Sequence, residues 1–210
     1  MLKNRLVYLL FMITTAASAQ KADTLFLENL LKSRPELFGG ILKHPTNNEV
    51  QILYTQIDRD KNNVPHFTSY SYHLNPNRYF YPASTVKLPT AIFALEKLNE
   101  LKISGLTMQS TMKTDSSFTD ETRMLEDTSS ATGLPSIENY IKKILLVSDN
   151  YAYNRLYEFV GRGELNQKLK KYGLNNTRIV GRLAIYDGGE NAKHTNAIED
   201  RKSTRLNSSH

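Results

Sequence analysis

Three Ser-x-x-Lys pairs lie in the chain: Ser18 with Lys21, Ser84 with Lys87, and Ser110 with Lys113. A serine hydroxyl becomes a nucleophile only when a base takes its proton. A lysine amine is such a base only if burial or nearby positive charge lowers its pKa. The spacing recurs too easily to mean much alone, so context must separate the three. Ser18 sits among small residues near the start, and Ser110 lies in a polar stretch. Only Ser84 opens a long apolar segment, with Val86, Ala91, Ile92, Ala94, Leu95 and Leu98. On a helix, residues i and i+3 share a face, so the Lys87 amine can reach the Ser84 hydroxyl. The helix N-terminus adds partial positive charge and free N–H groups near a reacting carbonyl. The plainer alternative is a capping serine followed by a solvated lysine. A second triplet, Ser148-Asp149-Asn150, occurs once, 64 residues after Ser84, between two expected helices. Its plainer reading is a polar turn with capping side chains.

The elements that must position these groups follow from periodicity and turn chemistry. Residues 23–33 place Leu25, Leu27, Leu30 and Leu31 at helical spacing, with Pro35 near the end. Residues 49–57 are rich in β-formers, 58–63 carry turn chemistry, and 66–73 alternate with Tyr70 and Tyr72 on one face, which predicts a hairpin. From Ser84 to about Leu101 the pattern is helical, and Pro89 falls in the first turn, where its missing N–H does modest damage. Residues 102–135 read as loops with short turns. Ser136 is expected to cap a helix with Ile137, Tyr140, Ile141, Ile144 and Leu145 on one face, ending at the Ser148 triplet. Further helices are expected over 151–159, closed by Gly161, and over 164–172, closed by Gly173.

In this setting Tyr81-Pro82-Ala83-Ser84-Thr85-Val86-Lys87-Leu88-Pro89 resembles the nucleophile helix of class A β-lactamases and penicillin-binding proteins. Leu145-Leu146-Val147-Ser148-Asp149-Asn150 resembles that family's second element. The resemblance spans about 20–199 and is most specific over 81–98 and 137–161. It implies a two-lobed α/β fold of the β-lactamase/D,D-peptidase kind: a helical lobe plus an antiparallel sheet lobe built from both chain ends. It also implies roles. Ser84 attacks an acyl carbonyl and forms an ester. Lys87 accepts its proton, alone or through water. Ser148 relays a proton to the leaving nitrogen, and Asn150 holds the substrate amide and the Lys87 amine. Asp149 supports the loop, and the Ser84 backbone N–H is one of two oxyanion donors. The implied partner is a small-molecule β-lactam or a peptidoglycan-like substrate, with no cofactor and no metal. A D,D-peptidase or esterase on the same site, or a penicillin-binding sensor that stays acylated, are the alternatives.

Two departures from the family pattern bear on turnover. No Lys-Thr-Gly motif follows Ser148, so the chain reads as lacking the C-terminal strands of the sheet lobe. The family's β-lactamases also carry a Glu-x-x-Leu-Asn stretch that grips the water breaking the acyl-enzyme. Glu164-Leu165-Asn166 has the wrong spacing and comes too early. Arg182-Leu183 resembles the start of the relevant loop, and the only nearby candidates for a deacylation carboxylate are Asp187, with Asn191 four residues on, and Glu190. Gly188-Gly189 favours a turn there over a water clamp. Acylation with slow turnover is the expectation.

The remaining residues mostly exclude. The chain has 210 residues and no cysteine, which rules out a thiol nucleophile, a disulfide framework and a cysteine metal site. Its formal charge of +6 does not mark a nucleic-acid binder. Lys3 and Arg5 at one end, and Arg201, Lys202 and Arg205 against Asp200 at the other, account for most of it, leaving no basic face between. Lys3, Arg5, the apolar run 6–13 and Ala17-Ser18-Ala19 predict a signal peptide over 1–19 and a periplasmic or secreted bacterial protein, with no membrane span after cleavage. The domain is expected over 20–199. Residues 200–210 lack periodicity and read as a non-native tail or as an ordinary disordered terminus. His44, His66, His73 and His194 have no metal-ligand spacing. Tyr70, Tyr72, Tyr79 and Tyr81 suggest sheet packing more than a substrate cleft, and Lys168, Lys170 and Lys171 a solvated helix face.

Overall fold

The computed structural model describes residues 23–115, 123–185, 191–195, 198–200 and 206. The leader expected over 1–19 lies outside them, as does the tail apart from Asp200 and Leu206. The chain divides into two compact units, Met1–Tyr79 and Phe80–His210.

The first unit packs two helices and a hairpin. Helix α1 (Leu25–Lys32) turns its Leu27 and Leu31 into a small core with Tyr72, and Tyr70, Val50 and Ile52 pack around them. Pro35 lies just past the end of this helix, as expected, and there starts a further one, α2 (Pro35–Lys43), where its fixed φ suits the first helical position. Strands β1 (Ile52–Arg59) and β2 (Pro65–Tyr72) pair antiparallel from Ile52↔Tyr72 to Arg59↔Pro65. The turn between them is tied by Asp60 Oδ1, which accepts from the backbone of Asn62 and Val64.

The second unit is built around one buried helix. It comprises α3 (Lys87–Leu101), β3 (Met112–Thr114), α4 (Ile137–Val147), α5 (Asn150–Val160), α6 (Arg162–Lys171) and β4 (Ile198–Asp200). Every residue of α5 from Ala152 to Val160 is buried, polar Asn154, Arg155 and Glu158 included. Around it lie Ala91, Phe93, Ala94 and Leu98 of α3, Ile137, Tyr140 and Ile144 of α4, and Leu165 and Leu169 of α6. Each large apolar side chain so buried contributes roughly 1.5–3 kcal/mol. Ser136 caps α4 as expected, its Oγ accepting from Asn139 N at 3.2 Å.

Two expectations need correction. The polar stretch 102–135 contains a strand, β3, which pairs antiparallel with β4 from Met112↔Asp200 to Thr114↔Ile198. Three residues give no readable alternation, which is why the strand escapes periodicity. Lys168 does not lie on a solvated face. It is 6 % exposed and pairs with Glu100 at 2.8 Å and Glu96 at 3.5 Å, carboxylates of α3 that sequence spacing does not bring to it, and with Glu164 at 3.6 Å, four residues earlier on its own helix. Near the other end of the chain, Leu206 is buried in the core and its N–H donates to the Ile198 carbonyl.

Candidate active site

Ser84 lies in a single 3₁₀ turn (Ala83–Val86) just before α3, so the α-helix proper starts at Lys87 rather than at the serine. The turn is entered through Ala83 at φ +44°, a left-handed conformation that a non-glycine residue seldom adopts. Thr85 holds it closed: both its N–H and its hydroxyl donate to the Pro82 carbonyl, at 3.0 and 2.6 Å. Ser84 is exposed, while Lys87 three residues later is 3 % exposed.

The second triplet forms a tight connection between α4 and α5. Ser148 ends α4 in the left-handed region at φ +55°, and its N–H donates back to the Ile144 carbonyl. Asp149 is extended and caps α5, its Oδ1 accepting from Ala152 N at 2.8 Å. Asn150 is the first residue of α5. This short reversal brings a hydroxyl, a carbonyl and an amide to face the same way.

They converge on the Lys87 amine. Nζ donates to the Ser84 Oγ at 3.1 Å, the Ser148 Oγ at 2.9 Å, the Asn150 Oδ1 at 2.7 Å and, at closer range, the Ser148 carbonyl. An ammonium has three protons for these four oxygens, so one must be shared. A neutral amine fits differently. Its two N–H groups serve the Ser148 carbonyl and the Asn150 oxygen, which can only accept, and its lone pair is left for a hydroxyl proton. Burial pushes the Lys87 pKa below the ordinary lysine value, and the nearby Asp149 carboxylate opposes part of that fall. Lys143 stands between two carboxylates, Asp127 at 3.3 Å and Asp149 at 4.0 Å. Burial alone would push the Asp127 carboxyl up, but hydrogen bonds from Ser129 and Lys143 outweigh it and hold the group below its usual range.

The four residues Ser84, Lys87, Ser148 and Asn150 are thus brought together. Lys113 is not among them; it sits on β3. Asp187 and Glu190 lie outside the described residues. Glu164-Leu165-Asn166 falls inside α6, where Glu164 pairs with Lys97 at 2.8 Å. Tyr81, Leu88, Leu145, Leu146, Val147 and Tyr151, all neighbours of site residues in the chain, expose large apolar surface. Among the described residues no group of three or more His, Asp or Glu could hold a metal ion, and no helix is long and apolar enough to cross a membrane.

Sequence reasoning missed the Ser148 carbonyl, since a backbone partner leaves no residue type to read. It also missed Asn154, although its place four residues after Asn150 puts it on the same helical face. Asn154 Oδ1 accepts from Leu183 N at 2.7 Å, and its Nδ2 donates to the Leu183 carbonyl at 3.0 Å.

A family model described as the β-lactamase enzyme family matches residues 41–208. No curated protein and no solved structure matches the chain.

Proposed function

This chain belongs to the β-lactamase enzyme family, and on that premise we propose that it is a serine hydrolase acylated at Ser84 by β-lactams or related amides and esters. The observation that carries the proposal is the contact of one buried amine with an exposed serine hydroxyl and with the Ser148 and Asn150 side chains. In this reading Lys87 takes the Ser84 proton as the oxygen bonds to the substrate carbonyl carbon. As the tetrahedral intermediate collapses, the C–N bond breaks and the proton passes from the amine through the Ser148 hydroxyl to the departing nitrogen. Asn150, whose oxygen is engaged by Lys87, offers its amide N–H donors to the substrate. The N-terminal end of α3 supplies positive potential near the developing oxyanion.

Turnover is proposed to be slow. The ester must be broken by a positioned water, which needs a base within hydrogen-bond reach. The only candidates close after Arg182 are Asp187 and Glu190, beside the paired glycines 188 and 189. This favours a D,D-peptidase-like enzyme or a penicillin-binding sensor over an efficient β-lactamase. The two-lobed arrangement belongs to the same proposal, supported by the helices and the short antiparallel sheets. So does export, supported by the leader-like pattern of residues 1–19.

Pre-steady-state kinetics with the chromogenic cephalosporin nitrocefin test this directly. The expected trace is a burst of about one equivalent followed by a slow phase. A fast linear trace without a burst, lost in Glu190→Gln or Asp187→Asn, would instead identify a working β-lactamase.

A further inference from the structure

Helix α5 carries three polar residues at i, i+4 and i+8: Asn150, Asn154 and Glu158. Residues four apart on a helix are neighbours on one face. Asn150 accepts from the Lys87 amine at 2.7 Å. Asn154 grips both backbone groups of Leu183. Glu158 takes Arg182 Nη1 at 3.3 Å and, from its own helix, Arg155 Nη1 at 3.2 Å. A second row runs beside the first: Tyr153 donates to the Gly181 carbonyl at 3.0 Å, and Tyr157 donates to the Lys193 carbonyl at 3.4 Å.

These contacts fasten two stretches of chain, 181–183 and 192–193, to a single helix. The stretches are also tied to each other. Arg182 N–H donates to the Ala192 carbonyl at 2.7 Å, and a Cβ on Gly181 would come to 3.0 Å from the same oxygen. That approach explains the glycine. The Glu158 carboxylate is 0 % exposed, which is tolerated only where charge is paired and hydrogen-bonded. An apolar side chain would fill the space without desolvating a charge. What the charge adds is direction: it fixes where Arg182, and hence its backbone, must run.

We propose that Glu158 is a positioning residue. By pairing with Arg182 it holds the 181–183 stretch, to which Ala192 is tied, on the same helix that presents Asn150 to Lys87. The segment beyond the triplet and the partner of the amine are thereby one mechanical unit. Only the kinetic part of the test below rests on the proposed acylation of Ser84.

Hydrogen exchange on the full chain, comparing wild type with Glu158→Gln, reads the role without any substrate. The amides of Arg182 and Leu183 should lose about tenfold or more of their protection, while those of α3 and α4 change by less than about twofold. Arg182→Lys, which keeps the charge, should retain most of the protection, and Arg182→Gln should match Glu158→Gln. The Arg182 pair also serves if Glu158→Gln does not fold. With a penicillin, Glu158→Gln should alter the slow phase by about tenfold and leave the burst rate unchanged. Equal loss of protection across α3, α4 and 181–193, or burst and slow phase falling together, would reduce Glu158 to a general structural prop and overturn the proposal. So would unchanged exchange at Arg182 and Leu183. If the wild type forms no adduct at all, the reading of Ser84 fails while the exchange comparison still decides Glu158.

Discussion

Replacing Lys87 by alanine removes the amine that reaches the Ser84 hydroxyl, 3.1 Å away. General-base help of this kind is worth about 10²–10⁴ in rate. At roughly 1.4 kcal/mol per decade, that is about 3–5.5 kcal/mol of transition-state stabilisation. The substitution also takes the amine from the Ser148 carbonyl and the Asn150 oxygen. Ser148 is exposed and Asn150 half-buried, so water replaces part of what is lost and the stability cost stays at the low end of the about 1–3 kcal/mol of an unpaired buried polar group. Activity and folding must therefore be read separately. Acylation by a fluorescent penicillin, timed on gels, gives the first, and thermal melting gives the second. Lys87→Ala should acylate about 10²–10⁴-fold slower, by the general-base range above, at a temperature where both proteins are folded. Lys113→Ala removes the lysine of another Ser-x-x-Lys pair, from strand β3, and should acylate like wild type. Equal effects of the two substitutions, or a folded Lys87→Ala that acylates at the wild-type rate, would refute the assignment of the base.

The base must be unprotonated, and burial lowers the Lys87 pKa, so acylation should rise with pH through a midpoint below the ordinary lysine value of 10.5. Asp149 opposes that lowering, so Asp149→Ala should move the midpoint further to the acid side; movement to the alkaline side in a stopped-flow pH series would contradict the electrostatics. The same variant loses the cap of α5 and should be about 0.5–2 kcal/mol less stable by denaturant titration. Leu156→Ala, at the centre of α5 and 0 % exposed, should cost about 2–5 kcal/mol, and a change below about 1 kcal/mol by the same titration would mean that α5 is not the centre of the core.

The candidate site is more legible in the sequence than the architecture, for a physical reason. Ser84, Lys87, Ser148 and Asn150 are side chains at helix ends, where residue type and spacing are strongly constrained. The helices α3 to α6 are readable from apolar periodicity and, at their ends, from Ser136, Gly161 and Gly173. Strands β3 and β4 are not, because three residues cannot display an alternation. Their pairing joins Met112 to Asp200 and Thr114 to Ile198, partners too far apart in the chain for any local pattern to announce. The pairing of buried Lys168 with Glu96 and Glu100 is hidden for the same reason, since the carboxylates come from α3 and the lysine from α6. Asn154 and Glu158 read as ordinary polar positions of a helix until the 181–183 stretch is seen folded onto them.

The central claim is that Ser84 is the nucleophile, and intact-mass measurement of the full chain after incubation with benzylpenicillin tests it most directly. One adduct per chain should appear, with the mass of the whole penicillin because ring opening expels nothing, and peptide mapping should place it on the segment holding Ser84. Ser84→Ala, folded by thermal melting, should gain no mass under the same conditions. An adduct of equal yield on Ser84→Ala, or a folded wild type that stays unmodified at saturating penicillin, would contradict the account.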